Sequence, residues 1–155
     1  MKIYHSTSSN FLIEEADFSK NIIKQLNDFA EINKLEKIIF SEDTFVLYVK
    51  NKEDEVVGLL QFYYYEKYKE IYVSWVMIDE HYRGHRLLTN MLRYLKVLSK
   101  SYDIDAITLY CLKTNKIANA IYKKLGFIQQ SSKAVKLSIN DSSRFNGYSL
   151  IRRIN

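Results

Sequence analysis

Apolar side chains recur at helical spacing in three parts of the chain. Over 18–34 they stand three or four residues apart, which predicts an amphipathic helix. The members of its apolar face are Phe18, Ile22, Leu26, Phe29 and Ile32. A second helix follows HYRGHR (81–86) with a face made of Leu88, Met91, Leu92, Leu95 and Leu98. A third is predicted over 114–127, with Thr114 or Asn115 capping its start and Gly126 ending it.

Short apolar runs bounded by polar residues predict seven strands. In chain order they cover 2–4, 44–49, 55–68, 70–78, 105–112, 134–139 and 147–153. Polar residues at 51–54 and 140–146 predict a turn and a loop. The polar break EKYKE (66–70) indicates an antiparallel hairpin, and the continuous apolar run at 105–112 is typical of a buried strand.

This order of elements predicts a mixed α/β fold. We expect a mostly antiparallel central sheet of about six to seven strands, with helices packed on both faces, in a single domain over 1–155. Residues 70–112 should form a right-handed crossover between parallel strands. Ligands of open sheets bind beyond the carboxyl ends of the strands, and the segment 81–86 lies at such an end.

The composition fits a soluble globular protein, with 47% apolar and 26% charged residues in a chain of 155. No apolar run approaches the ~18 residues needed to span a bilayer, so no membrane partner is expected. The start, MKIYHSTSSN, lacks the basic-then-apolar pattern of a secretory signal. Cys111 is the only cysteine, which excludes a disulfide within the chain. We therefore expect a cytoplasmic protein.

The net charge of +5 is distributed unevenly. Residues 1–70 carry 9 Lys/Arg and 13 Asp/Glu, whereas residues 71–130 carry 9 and 4. Two interpretations stay open: a charge that serves solubility, or a basic half that faces an anionic cofactor. Nucleic acid is disfavoured because the basic residues are scattered and not concentrated along one element.

Two segments carry the candidate chemistry. The first, VMIDEHYRGHRLLTNML (76–92), leads from a strand through a basic loop into a helix. A helix N-terminus presents unpaired N–H groups and a partial positive charge, which suit a phosphorylated ligand. The second, TLYCLKTNKIANAIYKKLGF (108–127), combines a strand with a short helix.

On these residues the chain resembles the GNAT superfamily of acetyl-CoA-dependent N-acetyltransferases. The first segment is similar to the family's hydrophobic-x-x-x-Tyr-Arg-Gly-x-Gly-x-Gly signature, and it departs from that signature at Arg86 and Leu88. The second is similar to Asn-x-x-Ala-x-x-x-Tyr-x-x-x-Gly-Phe, matched at Asn115, Ala118, Tyr122, Gly126 and Phe127. The order of elements matches over nearly the whole chain, although residues 1–40 match only in element type.

The resemblance implies acetyl-CoA as co-substrate, held along the first segment. Backbone amides would hold its pyrophosphate from Arg83, Gly84, His85, Arg86, Leu87, Leu88 and Thr89, with the Thr89 hydroxyl as a further donor. Without glycine, Arg86 and Leu88 can still donate if their φ angles are negative. The pantetheine arm would pair with the strand end at Val76, Met77 and Ile78, where an N–H of Val76 or Met77 would polarise the thioester carbonyl.

The second segment supplies the expected proton donor. The resemblance implies that Tyr122 protonates the departing thiolate and that Asn115 binds the CoA arm. The alternatives are purely structural: the Tyr122 ring packs against its neighbours, and Asn115 caps the helix. Glu70, Asp79 and Glu80 are nearby carboxylates, with Tyr72 or Ser74 as possible relays, and no general base is assigned. His81 and His85 lack a third ligand, so no metal is expected. Cys111 is expected to be a buried core residue.

These features favour an N-acetyltransferase that moves an acetyl group from acetyl-CoA to a primary amine by direct attack in a ternary complex. The alternative is a non-catalytic or altered module that binds a CoA ester or another acyl donor, motivated by the two missing glycines. A basic nucleic-acid-binding protein is the least favoured reading. Tyrosines in QFYYYEKY (61–68) either line the acceptor groove or pack in the core. The sequence does not identify the acceptor amine or decide between monomer and homodimer.

Overall fold

The computed structural model describes residues 3–5, 10–17, 22–33, 44–130 and 144–151. The chain divides into two compact units. The first contains residues 1–63 and 75–95, and the second contains 64–74 and 96–155. Two strands and one helix run through both units. The single domain expected over 1–155 stays a prediction.

The described residues contain eight strands and three helices. The strands are β1 (Ile3–His5), β2 (Leu12–Glu15), β3 (Thr44–Lys50), β4 (Val56–Tyr65), β5 (Glu70–Ile78), β6 (Ala106–Leu112), β7 (Ile128–Gln130) and β8 (Phe145–Ile151). The helices are α1 (Ile22–Ile32), α2 (Leu87–Ser101) and α3 (Lys116–Lys124). Short 3-10 turns occupy Glu66–Tyr68 and Glu80–Tyr82.

The sheet is mixed and mostly antiparallel, as predicted. In the first unit β1, β2, β3 and β4 pair antiparallel in sequence order, and β5 is the next neighbour of β4. In the second unit β5 and β6 pair in parallel from Glu70↔Ala106 to Val73↔Leu109. Strand β8 pairs antiparallel with both β6 and β7. The predicted parallel pair at 70–112 is therefore confirmed.

Two strands were not predicted from the sequence. Strand β2 has two adjacent glutamates, so its sequence lacks the apolar run by which the other strands were predicted. The Glu14 carboxylate accepts a hydrogen bond from the Tyr48 hydroxyl of the neighbouring strand. Strand β7 is only three residues long and depends on its pairing with β8. The predicted strand at 134–139 lies outside the described residues. Strand β8 begins at Phe145, two residues before its predicted start, because Phe145 pairs with Leu112.

The core of the first unit forms where α1 packs on β3 and β4. Its buried members are Ile22, Leu26, Phe29, Val46, Tyr48 and Leu59. The expectation that Ile32 belongs to this face is wrong, because its side chain is 75% exposed. At about 100° per residue, Ile32 stands roughly 60° beyond Phe29, outside the buried stripe that runs from Phe29 to Ala30. Predicted helix residues 18–21 and 34 lie outside the described part of the chain.

Helix α2 begins at Leu87, immediately after the basic loop. Its buried residues are Leu87, Asn90, Met91, Leu92, Tyr94, Leu95 and Ser99. The predicted face is therefore wrong at Leu88 and Leu98, which are only partly buried. Leu87 takes the place of Leu88 because positions 87, 91 and 94 follow the helical period from the actual first residue.

Candidate active site

The loop that joins β5 to α2 is anchored at its start by Asp79. The Asp79 backbone N–H donates to the Val57 carbonyl at 2.9 Å, which ties the end of β5 to β4. The Asp79 carboxylate accepts a hydrogen bond of 2.9 Å from the His81 N–H and lies 3.1 Å from His81 Nδ1. Asp79 therefore caps the 3-10 turn, and its carboxylate is engaged in that local structure.

Two residues of the loop have left-handed backbone conformations, Gly84 with φ 87° and Arg86 with φ 60°. Donation by the Arg86 amide was expected only if its φ were negative. Its φ is positive, so this expectation is not met. Arg86 instead holds the backbone shape that glycine adopts freely, at a cost of about 1–2 kcal/mol for a residue with a Cβ. Its carbonyl accepts the Asn90 N–H at 3.0 Å as the first hydrogen bond of α2.

The geometry of the loop and of the first turn of α2 fits a phosphorylated donor. Helix geometry leaves the amides of Leu87, Leu88 and Thr89 without intrahelical acceptors. A Cβ built at Gly84 meets no heavy atom within 4 Å, so the space beside this backbone is open. Asn90 is 2% exposed, and its Nδ2 has no hydrogen-bond partner in the described structure. A buried amide left without a partner at the start of a helix is a donor available to a ligand or to water.

The side chain of Asn51 holds this loop from the turn between β3 and β4. Its Nδ2 donates to the Tyr82 hydroxyl at 2.9 Å. Its Oδ1 accepts the backbone N–H groups of Glu53 and Glu55 at 3.0 and 2.9 Å. These contacts connect the end of the 3-10 turn to the turn between β3 and β4. Asn51 is itself buried.

Aromatic packing by Phe11, the residue before β2, supports the same loop. The buried Phe11 ring lies 6.1 Å from the Tyr82 ring, edge on, and 5.2 Å from the His85 imidazole. His85 is exposed to solvent. Phe11 thus contacts the loop at Tyr82 and His85, and Asn51 contacts it at Tyr82.

The end of β5 has a distinct environment. Val76, Met77 and Ile78 are partly buried, and Met77 packs against the α1 cluster. Strand alternation places Trp75 on the same face as Met77, yet Trp75 is 46% exposed and is the only exposed residue of β5. The parallel ladder with β6 ends at Val73, five residues before the end of β5.

Tyr122 lies in α3 of the second unit, and its side chain is 5% exposed. Its ring contacts Phe127 at 5.8 Å and Tyr148 at 5.5 Å between centroids. Burial raises the pKa of Tyr122 well above its ordinary value, and neighbouring Cys111 and Tyr148 raise it further. The phenol is therefore protonated at every physiological pH, as a proton donor must be, although it is a weaker acid than a free phenol.

The end of α3 holds Tyr122 through a Schellman motif. Gly126, with φ 95°, allows the chain to turn back, so that the Phe127 N–H donates to the Tyr122 carbonyl at 3.0 Å. The Phe127 ring then packs on the Tyr122 ring. The predicted role of Gly126 in ending the helix is confirmed. The turn at Gly126 also brings Phe127 into contact with Tyr122 through both its backbone and its ring.

Asn115 caps the start of α3, since its side-chain oxygen accepts the Ala118 N–H at 3.2 Å. This confirms Asn115 over Thr114 as the cap; contact with the CoA arm stays a prediction. Cys111 is a free, buried cysteine, as expected, and desolvation raises its pKa to about 11.

Of the candidate bases, Glu70 accepts a hydrogen bond from the Thr108 hydroxyl, Asp79 caps a turn and Glu80 is exposed. No residue is singled out as the base. Among the tyrosines of 61–68, Tyr63 and Tyr64 are partly buried and Tyr65 and Tyr68 are exposed, so none is fully buried in the core, and their place in an acceptor groove stays a prediction. Within the described ranges, no three His, Cys, Asp or Glu side chains cluster closely enough to bind a metal. None of the described helices is both long and apolar enough to cross a bilayer.

The structure thus groups the predicted site residues into two sets. The residues of 76–89 lie in the first unit, and Asn115 and Tyr122 lie in the second. Sequence reasoning missed the buried amides of Asn51, Asn90 and Asn119 and the exposed Trp75. In the sequence these asparagines are marked only as polar residues within a motif or beside a strand. Solvent-exposed residues show the same pattern, so it does not predict burial.

Comparison with known proteins agrees with this geometry. The model of the Acetyltransferase (GNAT) family matches residues 9–127, which include both motif segments. No curated protein matches the chain. Among solved structures, it is similar to RimL, a ribosomal L7/L12 alpha-N-protein acetyltransferase in complex with coenzyme A, with TM-score 0.73, 19% identity and coverage of 97% of this chain and 98% of that one.

Two other solved structures have the same fold. One is a ribosomal-protein-S5-alanine acetyltransferase from Vibrio fischeri, with TM-score 0.75, 13% identity and 97% coverage of each chain. The other is a dodecameric spermidine N-acetyltransferase from Vibrio cholerae, with TM-score 0.71, 12% identity and coverage of 93% of this chain and 95% of that one. At these identities the likeness establishes the fold.

Proposed function

The chain belongs to the acetyltransferase (GNAT) family, and from that premise we propose that it transfers an acetyl group from acetyl-CoA to a primary amine. One observation carries the proposal. Both motif segments adopt the local structure that the chemistry needs: a basic loop that leads into the amides at the start of α2, which lack intrahelical acceptors, and a buried, protonated tyrosine in α3.

Binding of the donor is assigned to the first segment. The amides of Arg83, Gly84, His85, Leu87, Leu88 and Thr89 hold the pyrophosphate, and the exposed guanidinium groups of Arg83 and Arg86 add charge-assisted contacts. The left-handed conformation of Arg86 supports acetyl-CoA over an altered donor, because the loop keeps a glycine-like shape where the glycine itself is missing. The backbone of Val76, Met77 and Ile78 pairs with the pantetheine arm.

Proton transfer is assigned to Tyr122. The donor supplies a thioester whose acyl carbon accepts the amine, so a C–N bond forms and the C–S bond breaks. Tyr122 gives its phenolic proton to the sulfur as that bond breaks, and an N–H of Val76 or Met77 stabilises the oxyanion. The proton lost by the amine goes to a base that stays unassigned.

The exposed indole of Trp75 is the proposed contact for the acceptor. It precedes the strand end that is assigned to the thioester, and an aromatic face attracts a cationic amine. The solved relatives act on protein amines and on spermidine, and both classes present primary amines. They define the panel for a first assay: peptides with free N-termini, lysine-containing peptides and polyamines.

The function is tested by thermal shift and by turnover. Acetyl-CoA should raise the melting temperature, and CoA thiol should be released only when an accepted amine is present. Trp75→Ala should raise KM for the amine and leave KM for acetyl-CoA unchanged. Absence of a thermal shift at millimolar acetyl-CoA would contradict the proposal; a shift without turnover over the whole panel would favour the non-catalytic module.

The remaining parts of the proposal concern the state of the protein. We place it in the cytoplasm, which is supported by one free, buried cysteine. Residues 1–155 are proposed to act as a single domain, since the family match runs through both compact units. Size-exclusion chromatography with light scattering distinguishes a monomer from a homodimer.

A further inference from the structure

The buried side chain of Asn119 is the centre of a hydrogen-bond network in the second unit. Its Nδ2 donates to the carbonyls of Leu112 at 2.9 Å and Asn115 at 2.7 Å. Its Oδ1 accepts from Asn146 Nδ2 at 3.0 Å and from the Tyr148 hydroxyl. Asn119 is only 7% exposed, so these partners replace water around the amide.

This network satisfies the full capacity of the asparagine amide. Two N–H donors reach two backbone carbonyls, and the two lone pairs of the oxygen accept two side-chain donors. One side chain thereby connects the end of β6, the start of α3 and strand β8. A buried network with every group satisfied favours one arrangement of its members over alternatives.

The network reaches Tyr122 through Tyr148. Tyr148 is 1% exposed, and its hydroxyl is fixed by Asn119. Its ring contacts the Tyr122 ring with centroids 5.5 Å apart and planes at 47°. On the helix, Asn119 and Tyr122 are three residues apart and share one face. Tyr122 is therefore packed between Tyr148, which Asn119 orients, and Phe127, which the end of the helix orients.

We propose that Asn119 is a positioning residue for Tyr122, acting through the Tyr148 hydroxyl and ring. The proposal rests on the proposed function, because it takes Tyr122 as the proton donor. Asn119 does not touch the reacting atoms. It sets the direction of the Tyr122 phenol, and a proton donor displaced by about 1 Å loses as much as ~100-fold in rate.

Two variants test this proposal by kinetics. Asn119→Leu removes the whole network at similar volume, and Tyr148→Phe removes only the hydroxyl that joins Asn119 to the ring. Each should lower kcat, by about 10-fold or more for Asn119→Leu, with little change in KM for acetyl-CoA. Tyr102→Phe is the matched control, since that tyrosine is 66% exposed, and its kcat should be unchanged.

The decisive comparison uses a Tyr122→Phe background. If Asn119 acts through the Tyr122 hydroxyl, Asn119→Leu should lower kcat in the native background and have little further effect once that hydroxyl is gone. An equal loss in both backgrounds would overturn the proposal, because it would show an effect independent of Tyr122. If Asn119→Leu does not fold, Tyr148→Phe in both backgrounds gives the same comparison.

Crystal structures of Asn119→Leu and Tyr148→Phe supply a readout that does not depend on turnover. The Tyr122 ring should be rotated or disordered relative to the native protein, while the loop at 81–86 is unchanged. An unmoved Tyr122 ring in both variants would overturn the positioning role. Absence of turnover by the native protein over the whole amine panel would instead contradict the proposed function. The two failures are therefore distinguishable.

Discussion

The Tyr94 hydroxyl donates a hydrogen bond of 2.6 Å to the Glu15 carboxylate, joining α2 to β2 across 79 residues of sequence. Tyr94 is buried and Glu15 is partly buried. A hydrogen bond to a charged group contributes about 1.5–3 kcal/mol, so Tyr94→Phe should lower the free energy of unfolding by that amount. Urea denaturation measures it. The exposed Tyr102→Phe should change stability by less than about 0.5 kcal/mol, and an equal loss in both variants would contradict a role for the bond.

Removal of the Tyr122 hydroxyl should slow catalysis without weakening donor binding. Tyr122→Phe keeps the ring that packs on Phe127 and Tyr148. We expect kcat to fall about 100-fold, at the low end for general acids because burial raises the pKa of Tyr122 and weakens it as an acid. The thermal shift with acetyl-CoA should be retained. Unchanged kcat with a good acceptor would show that another group protonates the thiolate.

The backbone of Arg86 can be tested separately from its charge. With φ at 60°, glycine should be more stable there than alanine by about 1 kcal/mol, although both variants lose the guanidinium. At Leu88, which lies within α2, the order should be reversed by about 1 kcal/mol, since glycine is unfavourable inside a helix. Chemical denaturation of the four variants measures both differences, and the same order at both positions would contradict the assigned backbone conformations.

Tyr82→Phe tests how the donor loop is held. The variant removes the acceptor of the Asn51 hydrogen bond and keeps the ring that packs on Phe11. A net loss of about 1 kcal/mol should weaken acetyl-CoA binding by about fivefold, with kcat nearly unchanged, because the loop positions the donor and not the proton. Isothermal titration calorimetry gives the affinity. Tyr68→Phe, at an exposed position of the hairpin, is the control.

Cys111 should contribute to loss of stability at alkaline pH. Desolvation raises its pKa from 9.0 to about 11, so between these values the folded protein holds a proton that the unfolded chain releases. Stability therefore falls as the pH rises through this window. Urea unfolding at pH 8, 9.5 and 10.5 should show a shallower fall for Cys111→Ala. A remaining fall is expected above pH 10, because the pKa values of Tyr48, Tyr122 and Tyr148 are also raised.

Alkylation of Cys111 checks the same property directly. A thiol whose pKa is raised by two units has about 100-fold less thiolate at pH 8, so native protein should react slowly and unfolded protein rapidly. Equal rates in the folded and unfolded states would contradict the buried position of the thiol.

The parts of the fold that follow from local physics were predicted well. The third helix has its cap at Asn115 and its left-handed glycine at Gly126, each within a few residues of the structure it determines. The strand, loop and helix at 70–101 follow from apolar periodicity and a polar break, and they are present with small shifts of their ends. Such signals are readable because the residue that causes the structure lies inside it.

The parts that were missed depend on distant partners. Strand β2 is a strand because β3 pairs with it and because Tyr48 and Tyr94 satisfy its two glutamates. The arginine at position 86 does not itself predict a left-handed conformation; the only sequence signal is that the family signature has a glycine there. Asn119 resembles a solvated helix residue until Asn146 and Tyr148 reach it from β8.

The sequence by itself determined the element types of the central region, the family and the two segments assigned to the chemistry, because capping, periodicity and motif spacing are local. The tertiary structure alone decided which polar side chains are buried and which backbone conformations are held. Pairs such as Glu15 with Tyr94 and Asn119 with Tyr148 form only when strands and helices distant in the chain pack together. The free energy of burying a polar group depends on finding its partner there.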